Sequence, residues 1–159
     1  MMAELGPMIT ILLDAFWAAV AALGFAVLFN APRRALPAIL LAGALGHATH
    51  TALVMVGVSV EIAVLAGALL IGLLGEFFQR RMRIPRVVFT VPGVIPMVPG
   101  SLAFGAMEKL LGVLTAPPDV AAELLARASV DIIHTGFILM ALAVGISVPI
   151  LFRHQKPAV

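Results

Sequence analysis

The chain carries the sequence Thr90-Val-Pro-Gly-Val-Ile-Pro-Met-Val-Pro-Gly-Ser101 in the middle of a long apolar segment. Proline lacks a backbone donor and clashes with the preceding helical turn, while glycine adopts angles that other residues avoid. An undisturbed helix is therefore excluded here. Because unpaired backbone groups are costly in lipid, an interrupted segment at membrane depth has to be buried in protein or line a watery cavity. The stretch is thus a candidate substrate site, whose predicted binding residues are Pro92, Gly93, Pro96, Pro99, Gly100 and Ser101.

The composition predicts an all-α integral membrane protein. Of 159 residues, 62% are hydrophobic and only 11% are charged, and several apolar runs reach the roughly 20 residues that a helix needs to cross a bilayer. The runs are too continuous for a transmembrane β-barrel. The absence of cysteine excludes disulfides and thiolate metal sites. The basic residues lie in short clusters between the apolar runs, which indicates membrane orientation and no nucleic-acid partner.

Five spans are predicted within a single transmembrane domain, residues 1–159. The fourth is the interrupted segment, and short turns or basic loops separate the spans. The first run is predicted to be retained as a span, because it lacks a basic leader and is too long for a signal-peptide core. The spans are 8–29, 35–57, 61–78, 87–114 and 130–152.

The basic residues predict the orientation of the chain. With five spans, eight of the ten Lys and Arg residues fall on one side, which the positive-inside rule assigns to the cytoplasm. The N-terminus is then outside and the C-terminus cytoplasmic. These eight residues are Arg33, Arg34, Arg80, Arg81, Arg83, Arg86, Arg153 and Lys156.

Ionisable residues inside the spans are functional candidates, because each is costly near the bilayer centre. His47 and His50 share one face of the second span, where they are predicted to contact substrate or protons. A hydrogen bond to a neighbouring helix is the structural alternative, and the His-x-x-His spacing alone is weak support for a metal. Gly43 and Gly46 allow another helix to approach this face closely. No metal or other cofactor is expected.

Two further places hold candidate proton-coupling groups. Asp14 lies among apolar residues of the first span, and Asp131 and His134 are three residues apart near the outer end of the last. A carboxylate beside an imidazole can shuttle protons or lock two helices together. An interfacial position facing water is the alternative for the second pair. In the third span, the small residues Ala63, Gly67, Ala68 and Gly72 predict helix packing.

The run from Val91 to Gly100 resembles the signature of the threonine/serine exporter family, most closely the small five-span subunit of its split form. Phe29-Asn-Ala-Pro-Arg33, Gly46-His47 and the length are similar as well. The resemblance implies an exporter of small polar metabolites in the bacterial inner membrane, and a larger membrane subunit as partner. Where the family pattern implies an arginine shortly after His47, this chain has His50, which is charged only conditionally.

The favoured hypothesis is a subunit of a secondary exporter for small carboxylate-bearing metabolites, either threonine and serine or a dicarboxylate such as succinate. No nucleotide-binding motif is present, so a gradient is expected to supply the energy. One alternative is a non-transporting scaffold that stabilises a partner. Another is an intramembrane enzyme using Ser101, although Gly100-Ser101 lacks a fuller nucleophile motif and no enzyme activity is expected. Whether the chain also forms a homo-oligomer is left open.

Overall fold

The computed structural model describes residues 2–151, with side chains from Gly6 onward. This part of the chain contains helices and no strand, which confirms the all-α class. The end of the fifth predicted span at Phe152, together with Arg153 and Lys156, lies outside the described residues. The helices are α1 (Met2–Leu28), α2 (Leu36–Met55), α3 (Val60–Met82), α4 (Val87–Val94), α5 (Gly100–Val113) and α6 (Pro118–Leu151), with short 3₁₀ turns at Arg33–Ala35 and Ile95–Met97.

Four of the helices in the described residues are long and apolar enough to cross a membrane, and α4 with α5 adds a fifth if the interrupted pair forms one span. The interruption lies where the prolines predict it. Helix α4 contains Pro92, a 3₁₀ turn follows, and α5 begins only after Pro99. Proline disfavours a helical conformation at the residue before it, so Val98 ends the first half of the segment. The chain is therefore a multi-pass helical membrane protein with a broken segment.

The chain forms two compact units. Among the described residues, the first comprises 2–97 and 141–151, and the second comprises 98–140. The first unit contains α1 to α4 and the end of α6. The second contains α5 and most of α6, where the position of a Cβ on Gly112 is 3.2 Å from Leu124.

Small residues bring the helices of the first unit into close contact. A Cβ on Gly43 of α2 would lie 2.7 Å from Ala22 of α1, and one on Gly67 of α3 would lie 2.6 Å from the Gly46 carbonyl oxygen. A Cβ on Gly145 of α6 would lie 2.6 Å from Ala68 of α3. These separations are too short for a larger side chain, so the backbones pack directly against each other. The packing role predicted for the small residues of α2 and α3 agrees with these contacts.

Two basic connections lie at the same end of the first unit. Ala35, beside Arg34, and Ile84, beside Arg83, are both buried in one apolar cluster with Phe89. Arg34 and Arg81 also line a common groove. The Arg86 Nη2 donates to the Ile146 carbonyl at 2.6 Å, which ties the last part of α6 to the start of α4.

Candidate functional site

Helix α2 carries His47, His50 and Thr51 in its second half. Residues three and four positions apart share a helix face, so the three side chains form one polar patch. The rings of His47 and His50 meet edge to face, with centroids 5.4 Å apart. Thr51 is 8% exposed, so its hydroxyl needs a partner within the protein.

That partner is Asp14 of α1. The Thr51 hydroxyl donates to Oδ2 of Asp14 at 3.0 Å, and its oxygen lies 3.4 Å from Nδ1 of His47. Because the hydroxyl hydrogen is directed to the carboxylate, the Thr51 oxygen is available to accept a hydrogen bond from the imidazole. The three residues form a hydrogen-bonded chain from α2 to α1.

The same imidazole reaches the helix break. The His47 side chain lies within hydrogen-bonding reach of the Pro96 backbone carbonyl, in the 3₁₀ turn between α4 and α5. A carbonyl near a proline-rich break has fewer helical donors available, so a side-chain donor can satisfy it. Thus His47 contacts both the carboxylate chain and the interrupted segment.

His50 is the second imidazole of the patch. Its Nδ1 is buried and has no hydrogen-bond partner among the described residues. The Asp14 carboxylate is close enough to act electrostatically on both His47 and His50. The site therefore combines one acid, two bases and a backbone carbonyl, a set that can exchange protons or bind a carboxylate.

The close approach of the helices explains why these groups meet. A Cβ on Gly93 of α4 would lie 3.2 Å from Ile71 and 3.7 Å from Ala42 of α2. The sulfur of Met97 lies 3.1 Å from the position of a Cβ on Gly67. The break is thus packed against α2 and α3 directly beside the histidine patch.

The predicted substrate-binding residues of the interrupted segment differ in burial and in the unit to which they belong. Pro92 and Gly93 are buried in the packing of the first unit, while Pro99, Gly100 and Ser101 belong to the second unit, where Gly100 and Ser101 are exposed. The structure therefore brings Asp14, His47, His50 and Pro96 together in one site.

Asp131 has a partner that the sequence pattern did not indicate. Nζ of Lys109 in α5 lies 2.7 Å from Oδ2 of Asp131 and also donates to the Gly105 carbonyl at 3.3 Å. His134, three residues further along α6, is exposed. The pair Asp131–Lys109 joins the two helices of the second unit.

Thr51 is the site residue that sequence reasoning missed. Its spacing of four from His47 was a usable signal, because residues at i and i+4 share a helix face. Its contact with Asp14 was not readable, since it depends on how α1 packs on α2. Within residues 2–151, no group of three or more His, Asp or Glu side chains could hold a metal ion.

A cavity of about 320 Å³ lies between the α1–α2 turn and α4. Asn30 and Pro32 line it from the turn, and Val91 and Pro92 line it from α4. The cavity thus joins the Phe29-Asn-Ala-Pro-Arg33 stretch to the first proline of the interrupted segment.

Comparison with known proteins identifies the group to which the chain belongs. A family model described as "Threonine/Serine exporter, ThrE" matches residues 14–152. The chain belongs to the threonine/serine exporter family. It is also 35% identical over 153 residues to an uncharacterised protein of Haemophilus influenzae, an alignment that covers 96% of this chain and 51% of the relative. The chain thus spans about half the length of this curated relative. No solved structure matches the chain.

Proposed function

We propose that the chain is a subunit of a secondary exporter for small carboxylate-bearing metabolites, either threonine and serine or a dicarboxylate such as succinate. The observation that carries this proposal is the meeting of Asp14, His47 and His50 with the Pro96 carbonyl at the helix break. Broken helices in transporters expose backbone groups to the transported species. Membership in a transporter family favours transport over enzyme catalysis.

Substrate would bind where the break faces the histidine patch. The part of the interrupted segment that belongs to the first unit, from Pro92 to Met97, would offer backbone groups, and His47 and His50 would contact the carboxylate. His50 suits this role because its buried Nδ1 lacks a partner within the described residues. Asp14 would couple transport to protons, and Asp131 and His134 would serve the same purpose in the second unit.

The chain would form one five-span domain of the bacterial inner membrane, with its C-terminus in the cytoplasm. The neighbouring positions of the two basic connections support a common, cytoplasmic side for them. The cavity between Asn30 and Pro92 would then open towards the cytoplasm, where exported substrate enters.

A complete transporter would need a second half, from a larger membrane subunit or from another copy of this chain. The greater length of the Haemophilus influenzae relative supports the existence of family members that carry more than this region. Paired halves around a midplane site are a common design of secondary transporters.

Efflux measurements test the proposal. Cells that carry the chain and its co-purifying partner should release preloaded radiolabelled threonine, serine or succinate faster than cells that lack both. Cells with the partner alone distinguish a transporting subunit from a scaffold. Equal efflux of all three compounds with and without the chain would contradict the proposal, and full transport by the partner alone in liposomes would favour a scaffold.

A further inference from the structure

We propose that the Thr51 hydroxyl relays protons between His47 and Asp14 across the α1–α2 interface. This inference rests on the proposed export function and assigns its coupling step to three side chains. It adds proton exchange to the role of His47, while the role of His50 remains substrate binding.

The geometry sets the direction of the hydrogen bonds. Thr51 has a single hydroxyl hydrogen, which points to Asp14 Oδ2 over 3.0 Å. Nδ1 of His47 lies 3.4 Å from the same oxygen, so the ring must supply the hydrogen of that contact. Asp14 and His47 are thereby connected through one hydroxyl.

The transfer conserves protons and charge. The Nδ1–H proton of a His47 imidazolium moves to the Thr51 oxygen while the Thr51 hydroxyl proton moves to Asp14 Oδ2. A neutral imidazole, an intact threonine hydroxyl and a carboxylic acid result. The reverse movement restores the imidazolium and the carboxylate.

No other ionisable residue of the neighbouring helical segments enters this exchange. Helix α3 has no ionisable residue from Ile62 to Gly75, and neither residues 87–99 nor residues 141–151 contain one. His50 adjoins His47 on α2 and is also within the electrostatic influence of Asp14. The acid and the two imidazoles are therefore the titratable groups of this cluster.

The exchange changes the contact between His47 and the break. An imidazolium has two N–H donors and a neutral imidazole has one. A proton that moves from Nδ1 towards Asp14 therefore removes the hydrogen that His47 donates to Thr51. The N–H that remains for the Pro96 carbonyl then belongs to a neutral ring, which donates a weaker hydrogen bond than an imidazolium. In this way, protonation of Asp14 on α1 is linked to the strength of the hydrogen bond between α2 and the interrupted segment.

Transport by reconstituted protein tests the role of Thr51. Thr51→Val removes the hydroxyl at constant shape, and Thr51→Ser keeps a hydroxyl. Thr49→Val is the matched control, because the Thr49 hydroxyl donates to the Leu45 carbonyl of its own helix at 2.8 Å. The full chain and its co-purifying partner are placed in proteoliposomes with radiolabelled threonine, serine or succinate. Net transport driven by a pH gradient is compared with exchange of labelled for unlabelled substrate.

For Thr51→Val we expect gradient-driven transport to fall roughly tenfold, the effect of one lost hydrogen bond to a charged group, while exchange persists. Thr51→Ser and Thr49→Val should keep the wild-type ratio of the two rates. Substrate exchange also shows that a variant is folded. If Thr51→Val does not fold, Thr51→Ala removes the same hydroxyl. A wild-type ratio in both hydroxyl-deletion variants overturns the inference and leaves the exporter function standing.

An infrared measurement on the purified protein tests the hydrogen bond between Thr51 and Asp14 without a transport assay. The carboxylate stretching band of Asp14, identified by its loss in Asp14→Asn, should shift in Thr51→Val and stay in place in Thr49→Val. An unchanged band in Thr51→Val overturns the inference. Absence of transport of all three compounds by the wild type contradicts the proposed function, a result distinct from the infrared outcome.

Discussion

The hydroxyl of Thr51 and the carboxylate of Asp14 lie 3.0 Å apart, although 37 positions separate them in the sequence. The contact joins two apolar helices through polar side chains, and His47 extends it to the break at Pro96. Polar groups in lipid have few alternative partners, so such a contact fixes the packing of the two helices and makes its residues candidates for function.

Asp14→Asn should lower pH-gradient-driven transport by roughly tenfold or more, because it removes the charge that interacts with His47 and Thr51. Initial rates in proteoliposomes measure the effect. Glu123→Gln makes the same chemical change in an exposed pair with Arg127 and should stay close to wild type. Wild-type gradient dependence of Asp14→Asn would show that another group couples transport.

Pro99→Leu should reduce transport without lowering thermal stability. Proline is about 3 kcal/mol less favourable than alanine inside a helix, so a helix-forming residue here permits a continuous helix in place of the break. Pro37→Leu is the control, because Pro37 lies in the first turn of α2, where proline fits. Normal transport by a stably folded Pro99→Leu protein would contradict a role for the break.

Gly67→Ala should lower the free energy of unfolding by about 1–3 kcal/mol, the usual range for overpacking. Its new Cβ would lie 2.6 Å from the Gly46 carbonyl oxygen and 3.1 Å from the Met97 sulfur, so α2, α3 and the break would have to separate. Denaturation in detergent provides the measurement. Gly24→Ala is the control, since no atom of another helix in the described part of the chain lies within 4 Å of its new Cβ. Equal stabilities of the two variants would refute the close packing at Gly67.

The Lys109–Asp131 pair should contribute about 0.5–1 kcal/mol to stability, because both side chains are partly exposed, 32% and 22%. A double-mutant cycle with Lys109→Met and Asp131→Asn measures this interaction energy. A value near zero would contradict a stabilising pair.

The same variants test whether Asp131 also couples transport. Loss of gradient dependence in Asp131→Asn, persisting in the double variant, is the outcome expected for a coupling residue. If the double variant regained gradient-dependent transport, Asp131 would instead serve only the ion pair with Lys109.

The histidine patch shows how far the sequence predicts the site. The three-residue spacing places His47 and His50 on one face of α2, and the apolar surroundings single out Asp14. Neither pattern indicates which helices meet. Likewise, the pairing of Lys109 with Asp131 follows only from the packing of α5 on α6.

The sequence by itself determined the all-helical class, the long apolar helices, the break between Pro92 and Gly100, and the family. The first three follow from local physics or composition, since apolar length favours helices in lipid and proline removes backbone donors. The family follows from the resemblance carried by the run from Val91 to Gly100. Only the tertiary structure decided that Thr51 connects Asp14 to His47 and that the Pro96 carbonyl lies beside them. These contacts depend on the close approach of α1, α2 and the broken segment at Gly43 and Gly93, and such approaches are set by the combined shapes of several helices.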